Sequence, residues 1–411
     1  VGVVECAGPA ARGLSFLGMH FPIAVVVALI VALNLGGAAI FIGLLRRRRP
    51  WARALGAAAI LWAVTMSALG VVQIFAPTVW KPFLRHWLYF PFAVEMVWNV
   101  LFLEPCFLAL ALTAVAIHFS RSVTHAEKAV TAPEPGAMSR RNFVYLLAGS
   151  AVPAASVAMG VHGVLTRHDL RVHHYRLAFP GLPAGLEGFT IAHLSDLHSG
   201  IFCGPERMRL IGEATNDLKP DLITITGDII NNNKDEFADA LTMIQKLETR
   251  HGIYLCEGNH DTFAGPGVIA QACADNGIPW LYRSCAVLPV NGARLILGGL
   301  PWMSEGFEGQ PEIVSSLYPA RAETDFRILL AHHPHLFDIA SDVDLVLAGH
   351  THGGQIMAGD EIGLGPLFFR YWSGLYQRDR TSLIVSNGCG DWFPCRIGAP
   401  AEIGLVRLTA A

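Results

Sequence analysis

Residues 207–230 read RMRLIGEATNDLKPDLITITGDII. The first half reads as a helix. The second half reads as a short apolar strand that ends in polar residues, Thr226-Gly227-Asp228. The same unit repeats on both sides. Before it, FTIAHLSDLHSG (189–200) is a strand that ends in Asp196 and His198. After it, FADALTMIQKLETRHGIYLCEGNHD (237–261) is a helix, then a strand that ends in Asn259, His260 and Asp261. Strands alternating with helices predict an α/β domain. In such sheets ligands sit beyond the carboxyl ends of the strands.

Two later strands continue the series. RILLAHHPH (327–335) supplies His332, and DLVLAGHTHGGQI (344–356) supplies His350 and His352. The glycines beside that last pair permit a tight turn, which brings both imidazoles toward one place. Each strand thus ends in oxygen or imidazole donors and none in thiolate. That donor set suits Mn, Fe or Zn. It is too large for one ion, so two divalent cations are expected. Cations about 4 Å apart need an anion between them. Asp228, the central carboxylate of the series, is the expected bridge. Such a pair lowers the pKa of a shared water toward about 7 and neutralises phosphoryl oxygens.

The ordered motifs SDLHSG (195–200), TGDII (226–230), GNHD (258–261), HHP (332–334) and GHTHGG (349–354) closely resemble those of the calcineurin-like metallophosphoesterases. The resemblance covers roughly residues 170–411. LEGFTIAHLSDLHSG (186–200), GLY (374–376) and GCGDWFPCRIGAPAEIGLVRL (388–408) are similar to the membrane-associated bacterial branch. The resemblance implies a four-layer αββα sandwich of two mixed sheets flanked by helices. It implies that Asp196, His198 and His352 hold one metal. Asn259, His332 and His350 would hold the other, with Asp228 between them. His332 matches the family's H-x-P position, with His333 the neighbouring alternative. His260 would sit over the phosphate and assist the leaving group, and Asp261 would orient His260. Trp302 stands where that branch carries an acid.

The chain has 411 residues, which suggests more than one domain. It is 52% hydrophobic and only 15% charged, against about 25% for ordinary soluble domains. The deficit lies in the first third. Residues 21–45 and 51–76 are each long enough to span a bilayer, and a third span lies within 88–118. Glu95 and Glu104 fall in that third region, either with Glu95 at the interface and Glu104 tucked against protein, or both on a polar path. Arg46 to Arg49 and Arg53 place the first connection in the cytoplasm. Residues 119–141 then read as a cytoplasmic linker. Residues 142–164 read as a fourth span or a twin-arginine-like signal helix, since Arg140-Arg141-Asn142-Phe143 precedes it. The catalytic domain, 165–411, would follow on the extracytoplasmic side of a bacterial inner membrane.

A net charge of −3 without a basic stripe gives no reason to expect nucleic acid. The expected partners are a phosphoester substrate and the lipid bilayer. Eight cysteines are spread without a CxxC pair, which argues against a zinc ribbon. Outside the cytoplasm Cys389 pairs on paper with Cys395 or Cys203, and Cys273 with Cys285. Cys256 is expected as a buried thiol and His193 as a core or sheet residue. Trp302, Tyr371, Trp372, Trp392 and Phe393 form either an apolar rim for a lipid or nucleoside, or ordinary packing. The function expected is a membrane-anchored dimetal phosphohydrolase that attacks with metal-activated hydroxide. Its substrate would be lipid-linked or part of the cell envelope. The rival is a metal-binding sensor or scaffold with little hydrolase activity.

Overall fold

The computed structural model describes residues 3–5, 155, 158–302, 311–359 and 362–411. The expected spans at 21–45, 51–76 and 88–118, the linker and most of the segment 142–164 lie outside them. Among the described residues no helix is long and apolar enough to cross a membrane. Val164–Ala411 forms one compact unit together with Val1–Pro9.

Its strands are β1 (Val3–Glu5), β2 (Leu170–Phe179), β3 (Thr190–Leu194), β4 (Leu222–Thr226), β5 (Ile253–Cys256) and β6 (Ser284–Val290). They continue as β7 (Ala293–Gly299), β8 (Asp325–Leu330), β9 (Leu345–Ala348), β10 (Gly374–Arg378), β11 (Thr381–Val385) and β12 (Ala401–Ala410). The α-helices of this unit that follow β2 are α1 (Pro205–Asp217), α2 (Phe237–Ile244), α3 (Val268–Asp275), α4 (Pro311–Ser315) and α5 (Leu364–Phe368).

The strands form two mixed sheets, one ordered β2-β12-β3-β4-β5 and the other β1-β6-β7-β8-β9-β11-β10. Strand β1, which the sequence reading did not expect, pairs antiparallel with β6. Side-chain alternation explains how the sheets face each other. In β4, Leu222 points into the cluster shared by the two sheets, while Ile223 and Ile225 point to α1 and α2. In β9, Leu345 and Leu347 point inward, while Val346 and Ala348 join an outer cluster with Leu336 and Phe337. Strands β3, β4, β8 and β9 are buried on both faces, which is why they read as unbroken apolar runs. Each fully buried side chain such as Phe326 or Ile191 contributes about 1.5–3 kcal/mol. The layers are thus helix, sheet, sheet, helix, in agreement with the expected sandwich.

Parallel pairing sets the polarity. Strands β3, β4 and β5 run parallel in one sheet. Strands β7, β8, β9 and β11 run parallel in the other. The loops that leave the carboxyl ends of β3, β4, β5, β8 and β9 carry the residues singled out above.

Candidate metal centre

Asp196, His198, Asp228, His350 and His352 all have positive φ, between 43° and 73°. Left-handed backbone costs a non-glycine residue on the order of 1 kcal/mol or more, and it clusters at functional sites. Here each strand turns sharply as it ends, so the side chain points across the sheet edge. Gly349 makes room for the crowding. A Cβ there would lie 1.9 Å from Ser195 Oγ and 2.2 Å from Asp196 Oδ2. The His350 amide then donates to both Asp196 oxygens, at 3.2 and 3.0 Å.

The side chains converge. Asp196, His198 and His352 place ligand atoms within 4.8 Å of one another, and so do Asp228, His332 and His350. A third set, His198, Asp228 and His260, overlaps the first two. His198 Nε2 lies 3.1 Å from His352 Nε2 and 3.6 Å from Asp228 Oδ2. His332 Nε2 lies 3.2 Å from Asp228 Oδ2 and 3.9 Å from Asp196 Oδ1. His350 Nδ1 is 3.0 Å from Asn259 Oδ1. Asp228 therefore stands between the two groups. His333 is set apart: its Nδ1 accepts from the His335 amide at the start of a 3-10 turn.

Protonation follows from this crowding. Burial works against the Asp196 carboxylate, but His352, His332 and His198 outweigh it and hold its pKa well below the usual range. The same competition, with His332 and His260 leading, lowers that of Asp228. Burial pushes His198 and His350 down, His350 to about 3. His332 goes the other way. Burial opposes its charge, yet Asp228 and Asp196 raise it to about 10. The two carboxylates thus favour positive charge at His332, where a cation belongs electrostatically. A divalent ion held there needs the neutral imidazole, so binding releases any proton that His332 carries.

The donor set fits such an ion. His332 Nδ1 faces the Thr226 carbonyl at 2.7 Å, which fixes the tautomer and aims Nε2 at the carboxylates. His352 is seated differently. Its Nδ1 meets Arg396 Nη2 at 3.2 Å, so its second nitrogen faces a cation instead of a carbonyl.

Two expectations need correction. Asp261 does not orient His260. Its Oδ1 accepts from the Ile229 and Ile230 amides at 2.8 and 3.3 Å, and its Oδ2 from the Gly258 amide at 2.8 Å. Asp261 opens a 3-10 turn that folds its carboxylate under the loops, where those three amides would otherwise be buried unmatched. His260 is instead held by the Asn231 carbonyl, 2.5 Å from its Nδ1. The disulfide pairings are not made either. Cys203, Cys256, Cys273, Cys389 and Cys395 are buried free thiols. Cys389 Sγ faces the Glu402 carbonyl and Cys203 Sγ accepts from the Asp391 amide. Cys273 and Cys285 belong to different packing clusters. His193 is buried against Thr226, as expected. Among the five aromatics, Trp302 packs on His350, His333 and His332, while Trp392 lines the cleft.

The sequence reading missed the support behind the site. Arg396 is buried and donates to Asp391 Oδ1 at 2.6 Å, to the Asn387 and Gly390 carbonyls and toward His352. Arg396→Met would strand the buried Asp391 charge. We expect it to lose about 3–5 kcal/mol of stability. A thermal midpoint equal to wild type, measured with chelator present, would refute this role.

Glu402 accepts from the Asn387 amide at 3.1 Å. Burial raises its pKa to about 7, against the Asn387 amide and Arg396. The unfolded value is about 4.3. The raised group therefore favours the fold below that value and loses its contribution as pH climbs to about 7. Above that, the buried charge costs on the order of 3–4 kcal/mol. Glu402→Gln should be more stable than wild type at pH 8, with the gain absent near pH 4.5. Identical denaturation midpoints at pH 8 would contradict it.

Residues 189–354 match the model of the calcineurin-like phosphoesterase domain. The chain carries a calcineurin-like phosphoesterase domain over these residues. It is accordingly a metal-dependent phosphoesterase. An uncharacterised metallophosphoesterase of Bacillus subtilis is 29% identical over 283 residues, 66% of this chain and 98% of that relative. One from Helicobacter pylori is 30% identical over 220 residues, 52% of this chain and 58% of the relative. A zebrafish (Danio rerio) transmembrane protein with a metallophosphoesterase domain is 30% identical over 244 residues, 56% of this chain and 55% of its own length. The chain thus spans little more than half of these last two relatives.

Proposed function

We propose that the chain is a dimetal phosphohydrolase anchored in a bacterial cytoplasmic membrane, cleaving a lipid-linked or envelope phosphoester on the extracytoplasmic side. The observation that carries the chemistry is the convergence of Asp196, His198 and His352 with Asp228, His332 and His350. Asn259 stands beside His350 and His260 beside Asp228. In this reading Asp196, His198 and His352 hold one divalent ion. Asn259, His332 and His350 hold the other, and Asp228 serves both. When bound, such a pair supplies Lewis-acid stabilisation of phosphoryl charge and a water-derived nucleophile at neutral pH. The chain's own residues do the rest. Their carboxylates and imidazoles are buried, where charge interactions are stronger than in water. His260 borders the cleft and can pass a proton to the departing alcohol oxygen. The apolar segments at 21–45, 51–76, within 88–118 and at 142–164, with Arg46 to Arg49 between the first two, support membrane attachment. So does the zebrafish relative named as a transmembrane protein.

The test uses the full chain, purified without chelator. Bound metals are counted, and hydrolysis of aryl phosphate monoesters and diesters is measured with added Mn or Zn. Roughly two ions per chain and turnover of one ester class are expected. Two ions without turnover of any phosphoester would favour the sensor or scaffold reading. Fewer than one ion in folded protein would sink the ligand assignment.

A further inference from the structure

The cleft at the metal centre holds about 340 Å³ and has two unlike walls. Asp228, His260 and His350 line one, and Leu364, Phe368 and Trp392 line the other. The apolar wall does not stop at the cleft. Ile362 and Leu367 are 70% exposed, Phe368 is 69% exposed and Trp392 is 39% exposed. Scattered exposed leucines are ordinary, but several large exposed apolar side chains on one short segment beside a polar site mark an interaction surface. Helix α5 is only five residues long, with Gly363 before it and Phe369 after it. It buries only Gly365, so its large side chains are left for something else.

Chain connectivity says what that is. His168 stands just before β2. Its carbonyl accepts from Arg207 Nη1 at 2.8 Å, and its ring lies 4.0 Å from Asp391 Oδ2. Arg207 also donates to the Cys389 carbonyl at 3.1 Å. The start of the domain is therefore pinned to the loop that carries Trp392, the next residue after Asp391. The apolar segment 142–164 ends four residues before His168. Four residues reach at most about 14 Å. The lead-in keeps Val164 and Leu165 exposed as well. A chain that leaves a bilayer near residue 164 is thus tied to the rim of its own cleft.

We propose that the α5 lip and Trp392 rest in the surface of a lipid bilayer, so that the cleft takes its phosphoester from a lipid headgroup. This rests on the membrane-anchored reading above. The phosphate enters the polar wall and the first apolar carbons follow Leu364 and Phe368. Ile362 and Leu367 stay outside the cleft and enter the interface. Water adds to phosphorus, and the alcohol leaves with the proton. Because Asp360 and Glu361 precede the lip, the bilayer suited to it is zwitterionic.

The test places the full chain in phosphatidylcholine nanodiscs doped with a phosphatidylcholine whose acyl chain carries a diazirine. After illumination the adducts are mapped by peptide mass. Adducts are expected on 362–368 and on Trp392, as well as within 21–118. Adducts within 21–118 alone would overturn the lip proposal and leave anchoring intact. No adducts at all would overturn both. Cross-links from the lip to another copy of the chain would overturn it in favour of self-association. A kinetic arm uses Ile362→Glu with Leu367→Glu. Both residues are exposed and outside the cleft. Turnover of a diacylglycerophospho-p-nitrophenol in the nanodisc should fall roughly tenfold or more, since charge is costly in hydrocarbon. Turnover of bis-p-nitrophenyl phosphate from water should be unchanged. Equal loss on both esters, or on neither, would overturn the proposal.

Discussion

Asp228→Asn is expected to lower kcat/KM on the order of 10³-fold or more and to reduce bound metal from two ions toward one. In the proposed assignment Asp228 is the carboxylate that serves both ions. Its Oδ2 lies 3.6 Å from His198 Nε2 and 3.2 Å from His332 Nε2, and its Oδ1 accepts the His260 amide at 2.7 Å. An asparagine oxygen can keep the last bond, so the β4 loop should hold its shape. What disappears is the negative charge. Asp196 alone cannot offset two divalent ions a few ångströms apart. The carboxamide nitrogen would also meet either His198 or His332 as a second donor. Elemental analysis after gel filtration, beside steady-state kinetics, checks both parts. If the variant keeps two ions and loses less than about tenfold in rate, Asp228 does not bridge.

The strand ends were legible because β-sheet periodicity and motif spacing are local properties. Leu222–Thr226 and Leu345–Ala348 are short apolar runs, and each is followed within a few residues by donors. That places Asp196, Asp228, Asn259, His332, His350 and His352 on one edge before any coordinates exist. The rest is not local. Asp261 follows His260 directly, so sequence proximity suggested a pair. A single 3-10 turn sends their side chains to different partners, and Asn231, 29 residues away, holds Nδ1 of the His260 ring. Arg396 lies 44 residues from His352 and inside a cysteine-rich tail that reads as a loop. Its role depends on burial, which periodicity does not report for an irregular segment. The left-handed turns at Asp196, His198 and Asp228 are invisible for a similar reason. They are forced on non-glycine residues by the fold, not chosen by local preference. The α5 lip was also missed, because an apolar run such as Leu364–Phe368 reads as core until its exposure is seen.

His260→Ala should cut kcat by about 10²–10⁴-fold on esters with poor leaving groups, while two metals stay bound. The ring is half-buried and stacks edge-on against His198, with centroids 4.6 Å apart. Its Nδ1 is engaged by the Asn231 carbonyl, which fixes that nitrogen as a donor and turns Nε2 toward the cleft. A proton carried on Nε2 is therefore placed for the departing oxygen. Such a group matters in proportion to how badly the leaving group needs a proton. Hydrolysis of p-nitrophenyl esters should suffer least, phenyl esters more, and alkyl esters most. The steeper dependence of log kcat on leaving-group pKa is the signature to measure. The geometry also offers the contrary role, since His260 lies within ligand distance of His198 and Asp228. A ligand would behave differently. Its loss would remove metal and slow every ester by a similar factor, whatever its leaving group. Metal content and the leaving-group slope together separate proton transfer from coordination, which a rate on a single activated ester cannot do.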